Sequence, residues 1–500
     1  MAFTGCGGKK DSSTDGTSGP SKKNSSWKKS ASKKSATEKT AVKTETPQPV
    51  PRKSERPRKT KSNPTLPKKS KPVPQTVYRE SDLRPKHDAA RLAKIGIRKY
   101  TSRRLILYTD IDPKVAATLP PLIDHAFDAW VKYFGKLPPT REGDPFQLTG
   151  YIMADPARFR EAALIPGDLR PFKAGRHRGY EFWMYDQKWP YYRRHLMVHE
   201  ATHCFMYAVR DVRFPVWYME GMAELFGTHH FDEKGVPHFG VMPNRDADFP
   251  GFGRIEYIQE DVRRGIGKNL NGVLALRADD FGNNHAYGWS WGICKFLDAH
   301  PRYQKKFRAL GQILTSSQFI AQFRRDFLDD EKDLPFEWQV FTQELTYGFD
   351  VERFAMLHKP GNPLPKNASG VTVTLATNRG WQSVGIRLEK GQTYEISATG
   401  RFSLAQKPKP WISEPQGVSI FYAGGRPLGM VLGLIRPDRD AVNDGGNRGV
   451  GSPLKVIPIG RRTRIRAAMS GTLYVRINDF WSDFANNMGE VTIRVQTAKP

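Results

Sequence analysis

The stretch HLMVHEATHCFMYAVRDVRFPVWYMEGMAELFG, residues 195–227, carries His199 and His203 with Glu200 directly after the first histidine. Further on comes a second cluster, Glu220-Gly-Met-Ala-Glu224. Side chains four apart on a helix share a face, so both imidazoles can bind one metal ion. Glu200 projects beside them, where a carboxylate can take a proton from water. Zinc held by three protein ligands keeps a fourth position open for that water. One known ligand spacing needs a Gly and a further His where this chain has Met206 and Val209, and it is excluded. A glutamate from a following helix fits instead. Pro215 and the aromatics after it begin that helix, with Glu220 and Glu224 one turn apart on one face. Glu220 would then be the third ligand, and Glu224 would accept a hydrogen bond from a ligand imidazole and fix its tautomer. The rival readings are a helix with solvated His and Glu, and a zinc site that has lost turnover. The second acidic block weighs against the first, and Glu200 against the second, because a purely structural site needs no base.

These residues, HEATH followed by W-Y-M-E-G-M-A-E, resemble the gluzincin metallopeptidases, closest to the peptidase-MA-like group. The resemblance spans roughly residues 100–350 and includes AGRHRGYEFWMYD (174–186) before the zinc helix. AYGWSWGICKFL (286–297) resembles the aminopeptidase-N-like gluzincins, where a tyrosine opening such a helix stabilises an oxyanion. That implies the same role for Tyr287, against the plainer reading of a core tyrosine. The implied activity is peptide hydrolysis with Glu200 as general base. The strand 179–186 is expected to serve as the edge that pairs with an extended peptide. His195 is expected to be a polar group near the helix start or an outer partner of the site, and His229 and His230 to be solvated in a loop.

Around the motif, apolar patterning predicts strands at 103–109, 146–154 and 179–186, and a helix over 113–135. Asp155 and Pro156 predict an N-cap and first helical position. Helices are expected near 191–209, 216–228, 254–265, 285–299, 301–313 and 316–328. Strands first and helices after predict an α+β domain over 95–356, which the resemblance implies to be zincin-like and a metallopeptidase. The Pro- and Gly-rich stretch 357–370 predicts a linker. Beyond it the period becomes two, and TYEISATG, TLYVRIND and EVTIRV predict an all-β sandwich over 371–500.

LYVRINDFWSDFANNMGEVTIRV (473–495) places Asp479, Asp483, Asn486 and Asn487 after a strand, and clustered hard oxygens suit Ca²⁺. The region resembles the calcium-dependent galactose-binding lectins of the PA-I type. Asp479, Asn486 and Asn487 match calcium positions, and Asp483 stands where those lectins have threonine. The resemblance implies a possible calcium ion and a carbohydrate partner. Its sugar-contacting residues have no clear match in KPWISEPQGVS, and the alternative is that the Asp and Asn side chains only form Asx turns.

The chain carries a formal charge of +28. Residues 1–75 hold 19 Lys/Arg against five Asp/Glu, so half the excess lies in about one seventh of the chain. That segment is rich in Lys, Ser, Thr and Pro and nearly free of aliphatics, which predicts a disordered basic tether, set at residues 1–90. A solvated linker is the plainer reading, and adhesion to an anionic surface the other. No stacking or recognition motif interleaves the basic run, so specific nucleic-acid binding is not expected. FTGCGGKKDSST resembles a bacterial lipobox, with Cys6 as the residue to be lipidated. Only five residues precede it, and the charged and apolar parts of a signal are then expected to be missing by truncation. A lipidated Cys6 implies an envelope protein outside the cytoplasm, held to the membrane through that anchor alone. Three cysteines make no disulfide framework, and Cys204 and Cys294 are expected to be buried free thiols. Two functions therefore compete: an extracytoplasmic zinc peptidase, and an envelope adhesion protein whose zinc site is vestigial.

Overall fold

A sheet and a helical layer form the frame of the motif. The computed structural model describes residues 78–209, 215–313, 316–365, 369–438, 449–451 and 453–498. Cys6 and most of the basic segment lie outside the described residues. Residues 78–90, expected to belong to the tether, belong to the folded body instead. Arg79 is buried, its amide donates to Pro139 O at 3.0 Å, and His87 lies 2.7 Å from the Tyr151 hydroxyl. Sheet polar groups capture this charged segment, which composition alone assigns to solvent.

The sheet has the order β1-β2-β3-β5-β4, with β1 Arg98–Thr101, β2 Leu105–Thr109, β3 Leu148–Met153, β4 Gly175–Arg178 and β5 Glu181–Tyr185. β2, β3 and β5 run parallel, and β1 and β4 are antiparallel edges. The domain is thus mixed α/β, with crossover helices between the parallel strands. α2 Pro113–Ala116 and α3 Leu119–Phe134 link β2 to β3, α4 Pro156–Glu161 follows β3, and α1 Ala89–Lys94 precedes β1. α3 buries Leu119, Leu122, Ile123, Ala126, Phe127, Trp130 and Phe134, the three-and-four spacing of one packed face. Asp155 caps α4 by accepting from the Ala157 amide at 3.0 Å, as the sequence predicts. The strand 179–186 is not the edge it was expected to be. β5 is paired on both sides, and the free edge belongs to β4, the first arm of a hairpin turned at Gly179.

The helical layer starts with α5 Pro190–Val209 and α6 Val216–Gly227. A two-stranded ribbon follows, β6 His229–Phe231 and β7 Pro237–Phe239. Then come α7 Arg254–Arg263, α8 Leu270–Leu274 and α9 Asn284–Ala299. α6 lies close against α9 because residue 221 is glycine. A Cβ there would stand 2.4 Å from Ser290 O and 2.5 Å from Cys294 Sγ. Cys204 and Cys294 are free and buried, as expected. Helices α10 Gln304–Leu310, α11 Ser316–Phe323 and α12 Leu334–Glu344 complete the layer.

The C-terminal region is β-rich. Val371–Ala376, Glu490–Thr497, Thr393–Thr399 and Arg462–Arg466 form one sheet. Gln382–Leu388, Gly471–Ile477, Arg426–Pro437 and Gln416–Ala423 belong to the other, which the short pair Asn362–Pro363 joins. Both sheets enclose a core of Ile396, Ile493, Val495, Leu388, Leu473 and Val475. The expected linker 357–370 is not a bare connector. His358 within it hydrogen-bonds Glu337 of α12 at 2.7 Å and the Tyr474 hydroxyl at 2.6 Å. Trp381, Leu434, Tyr474, Trp481 and Phe484 share one core with the helical layer. No helix among the described residues is long and apolar enough to cross a membrane.

Candidate metal centre

The two histidines meet because α5 is an unbroken helix through both. His199 Nε2 and His203 Nε2 lie 3.1 Å apart. α6 brings Glu220 Oε2 to 3.4 Å from the first and 3.3 Å from the second. Ligand atoms about 2.0–2.1 Å from a tetrahedral Zn²⁺ stand about 3.3–3.4 Å apart, so this triangle has the dimensions of a zinc face. Two imidazoles and a carboxylate are also the right donor chemistry, and the residues fit the ion.

A second triangle, His195, His199 and Glu224, also places donor atoms close together. It is not a second metal site. Arg254 of α7 occupies the Glu224 carboxylate with two hydrogen bonds of 2.9 Å, and a guanidinium there repels a cation. His195 Nε2 lies 3.0 Å from Glu224 Oε2, and His199 Nδ1 lies 3.2 Å from Oε1. Glu224 therefore stands against the His199 ring, with buried His195 on its other oxygen rather than at the surface. Burial opposes ionisation of Glu224, but Arg254, His195 and His199 outweigh it and hold the carboxyl well below the usual range. Burial likewise opposes Glu220, and His203 and His199 bring it far down. For His199, burial is overcome by Glu220 and Glu224, which raise it well above an ordinary imidazole. For His203, burial prevails and lowers it.

Glu200 is buried under β4. A Cβ on Gly175 would fall 2.4 Å from Glu200 Oε1, so glycine leaves the space this carboxylate occupies. His177, two positions along β4, stacks on the His203 ring at 4.5 Å, and its Nδ1 lies 3.7 Å from Glu200 Oε2. Sequence reasoning missed both His177 and Arg254. The Gly175/His177 alternation in GRHR was the available signal for one. Nothing local marks Arg254, thirty positions from Glu224.

Tyr287 of α9 comes to the site. Its ring is 5.9 Å from that of His199, and it shares with His199, Glu200, Gly175, Phe172 and Phe281 a cleft of about 470 Å³. Burial raises its hydroxyl well above an ordinary tyrosine, and Glu220 and Glu200 add to that. His229 is not solvated as expected. It is 1% exposed, accepts a place in β6, and stacks on Tyr191 at 5.1 Å. The apolar ring of Tyr191 recruits it, while His230 next to it is exposed as expected.

At the C-terminal candidate, Asp479 and Asn487 are buried, and Asp483 and Asn486 are exposed. Burial pushes the Asp479 carboxyl up to about 6, opposed by the Phe480 amide, which donates to Oδ1 at 2.7 Å. Asp479 Oδ2 and Asn487 Oδ1 are buried with no donor among the described residues.

No family model and no curated protein matches the chain. Among solved structures it is similar to the EclA N-terminal domain, a PllA-like lectin, at 17% identity and a TM-score of 0.19. That match covers 26% of this chain and 98% of the lectin chain.

Proposed function

We propose that residues 95–356 are a gluzincin-type zinc peptidase acting outside the cytoplasm. The observation that carries this is the triangle of His199, His203 and Glu220 at 3.1–3.4 Å with Glu200 beside it on the cleft. His199, His203 and Glu220 would hold the ion. Bound there, zinc supplies Lewis acidity and brings the pKa of water toward neutrality. Glu200 takes a proton from water in the cleft and passes it to the leaving amine. The free edge of β4 aligns an extended peptide across the cleft by main-chain pairing. Tyr287 donates its hydroxyl proton as a hydrogen bond to the oxygen that gains charge. The lipobox-like run at Cys6 supports an envelope location.

The deciding experiment combines zinc content with cleavage of casein or a peptide library. The wild type should bind one zinc per chain and lose cleavage to a chelator. Glu200→Gln should keep the zinc and lose about 10²–10⁴-fold in kcat. Normal cleavage by that variant would sink the scheme.

A second reading rests on the unpartnered Asp479 and Asn487 oxygens: a carbohydrate-binding adhesion module held by Ca²⁺, with a vestigial zinc site. Bound zinc, no peptide cleavage and glycan binding together would favour it.

A further inference from the structure

Among the described residues, the strand Gln416–Ala423 has no neighbour on its outer side. Its pairing with Arg426–Pro437 slips between Val418 and Tyr422, so Ser419, Ile420 and Phe421 have no ladder partner. At this bulge Ile420 is 75% exposed, Phe421 52% and Tyr422 55%. Three consecutive large apolar side chains in water are costly, and alternation along a strand would have turned one of them inward. Trp411 and Ile412 extend the patch, with Trp411 edge-on to Phe421 at 4.9 Å. The loop ending at Trp411 is closed by Leu404 N→Trp411 O and Trp411 N→Ala405 O bonds, and it carries exposed Lys407 and Lys409. Arg426 follows the hairpin turn. None of these three cations forms an ion pair among the described residues, while the nearby acid Glu414 is already taken by Arg461.

We infer that this hairpin is a membrane-docking tip, in which Ile420, Phe421 and Tyr422 enter the headgroup layer of an anionic bilayer while Lys407, Lys409 and Arg426 meet its phosphates. The shape and the charge both favour lipid. An exposed apolar hairpin with Trp411 and Tyr422 on it suits the bilayer interface, where Trp and Tyr settle with one end wet. Free cations around it add attraction to anionic headgroups. A second copy of this chain fits less well. A two-fold contact would set the same cations against one another, and the bulge prevents a flat edge from continuing into a partner sheet.

The test is co-sedimentation of the full chain with vesicles of phosphatidylglycerol and phosphatidylcholine in equal parts. The basic segment 1–75 is also drawn to such vesicles, and salt separates the two contributions. At about 0.5 M salt the screening length falls to about 4 Å and charge contacts fade, whereas apolar insertion persists. The wild type should remain bound there. Ile420→Asp/Phe421→Asp should lower partition about tenfold or more, and Phe421→Ala should lower it less, with melting temperature and zinc content unchanged. Lys409→Glu/Arg426→Glu should weaken binding at low salt. The inference is overturned if the double Asp variant partitions like the wild type, or if the wild type leaves the vesicles completely at high salt. It is equally overturned if light scattering finds a dimer that the Asp variant breaks and no vesicle binding.

Discussion

Arg254 grips Glu224 with two hydrogen bonds of equal length, Nε to Oε2 and Nη2 to Oε1, both 2.9 Å. Both residues are buried, so each charge depends on the other. Arg254→Met would leave Glu224 buried against His195 and His199 without its counter-charge. Unfolding free energy should fall by about 3–5 kcal/mol. Zinc affinity should fall about 10–100-fold, because Glu224 then no longer fixes the orientation of His199. Arg254→Lys should recover part of the stability but not the affinity, since an ammonium lacks the fork. Denaturant melts and competition with a zinc chelator read the two effects. Wild-type zinc affinity in Arg254→Met would remove Glu224 from the support of the site.

Tyr287 offers a hydroxyl to the same cleft from a different helix. If it stabilises charge that develops only in the transition state, Tyr287→Phe lowers kcat about 10²-fold with KM and zinc content little changed. Unchanged turnover would return Tyr287 to the core as a packing residue.

Gly175 tests the position of Glu200 without touching it. An alanine methyl would collide with Oε1 at 2.4 Å and with the next two side-chain atoms at 2.9 Å. Gly175→Ala should keep full zinc occupancy, because none of the three ligands moves, and should lower kcat about tenfold or more. Equal loss of zinc would mean that the strand, not the base, had shifted.

The His199, His203 and Glu220 triangle was legible because its geometry is local. Helical period alone aligns His199 with His203, and the next helix in the chain carries Glu220. Glu224 was legible for the same reason, one turn beyond. Arg254 and His177 were not, since their places depend on how α7 and β4 pack on α5, and no residue period encodes a contact between distant elements. The edge strand was misplaced because apolar composition favours the buried β5. The true edge, GRHR, is polar where it meets solvent and glycine where it meets Glu200. His229 was misjudged because a histidine beside another histidine reads as polar, while its ring is covered by Tyr191 and Phe231.

His300 should make the fold acid-sensitive. It is 1% exposed, with Nε2 3.4 Å from Glu337 Oε2. Burial lowers it to about 4 although Glu337 opposes, with Arg302 and His358 adding to the lowering. The unfolded chain takes this proton near pH 6.5, and the native state not until about pH 4. Native stability therefore falls as pH drops through that window, by at most about 3 kcal/mol from this residue, and is unaffected by it above the window. Glu337, itself held below the usual carboxyl range, adds its own loss only at lower pH. Unfolding free energies at about pH 4.5 and pH 7 should differ less in His300→Gln than in the wild type. An identical pH slope would place the sensitivity elsewhere.

Asp479 has the opposite sign. With its carboxyl pushed up to about 6, the native state holds a proton between about pH 3.8 and 6 that the unfolded chain has lost. The native state is therefore penalised as pH rises through about 6, where the buried carboxylate becomes charged. A calcium ion on Asp479 and Asn487 would offset that charge, and it would have to compete with the proton below pH 6. Saturating calcium should raise the melting temperature by about 1–3 °C near pH 7.5. It should do little near pH 5, where the proton occupies the carboxylate. Asp479→Asn should be more stable than the wild type without calcium at pH 7.5, having no buried charge to carry, and should show no calcium response. A calcium shift of equal size at both pH values, or one that survives Asp479→Asn, would place any calcium elsewhere and leave these oxygens to Asx turns.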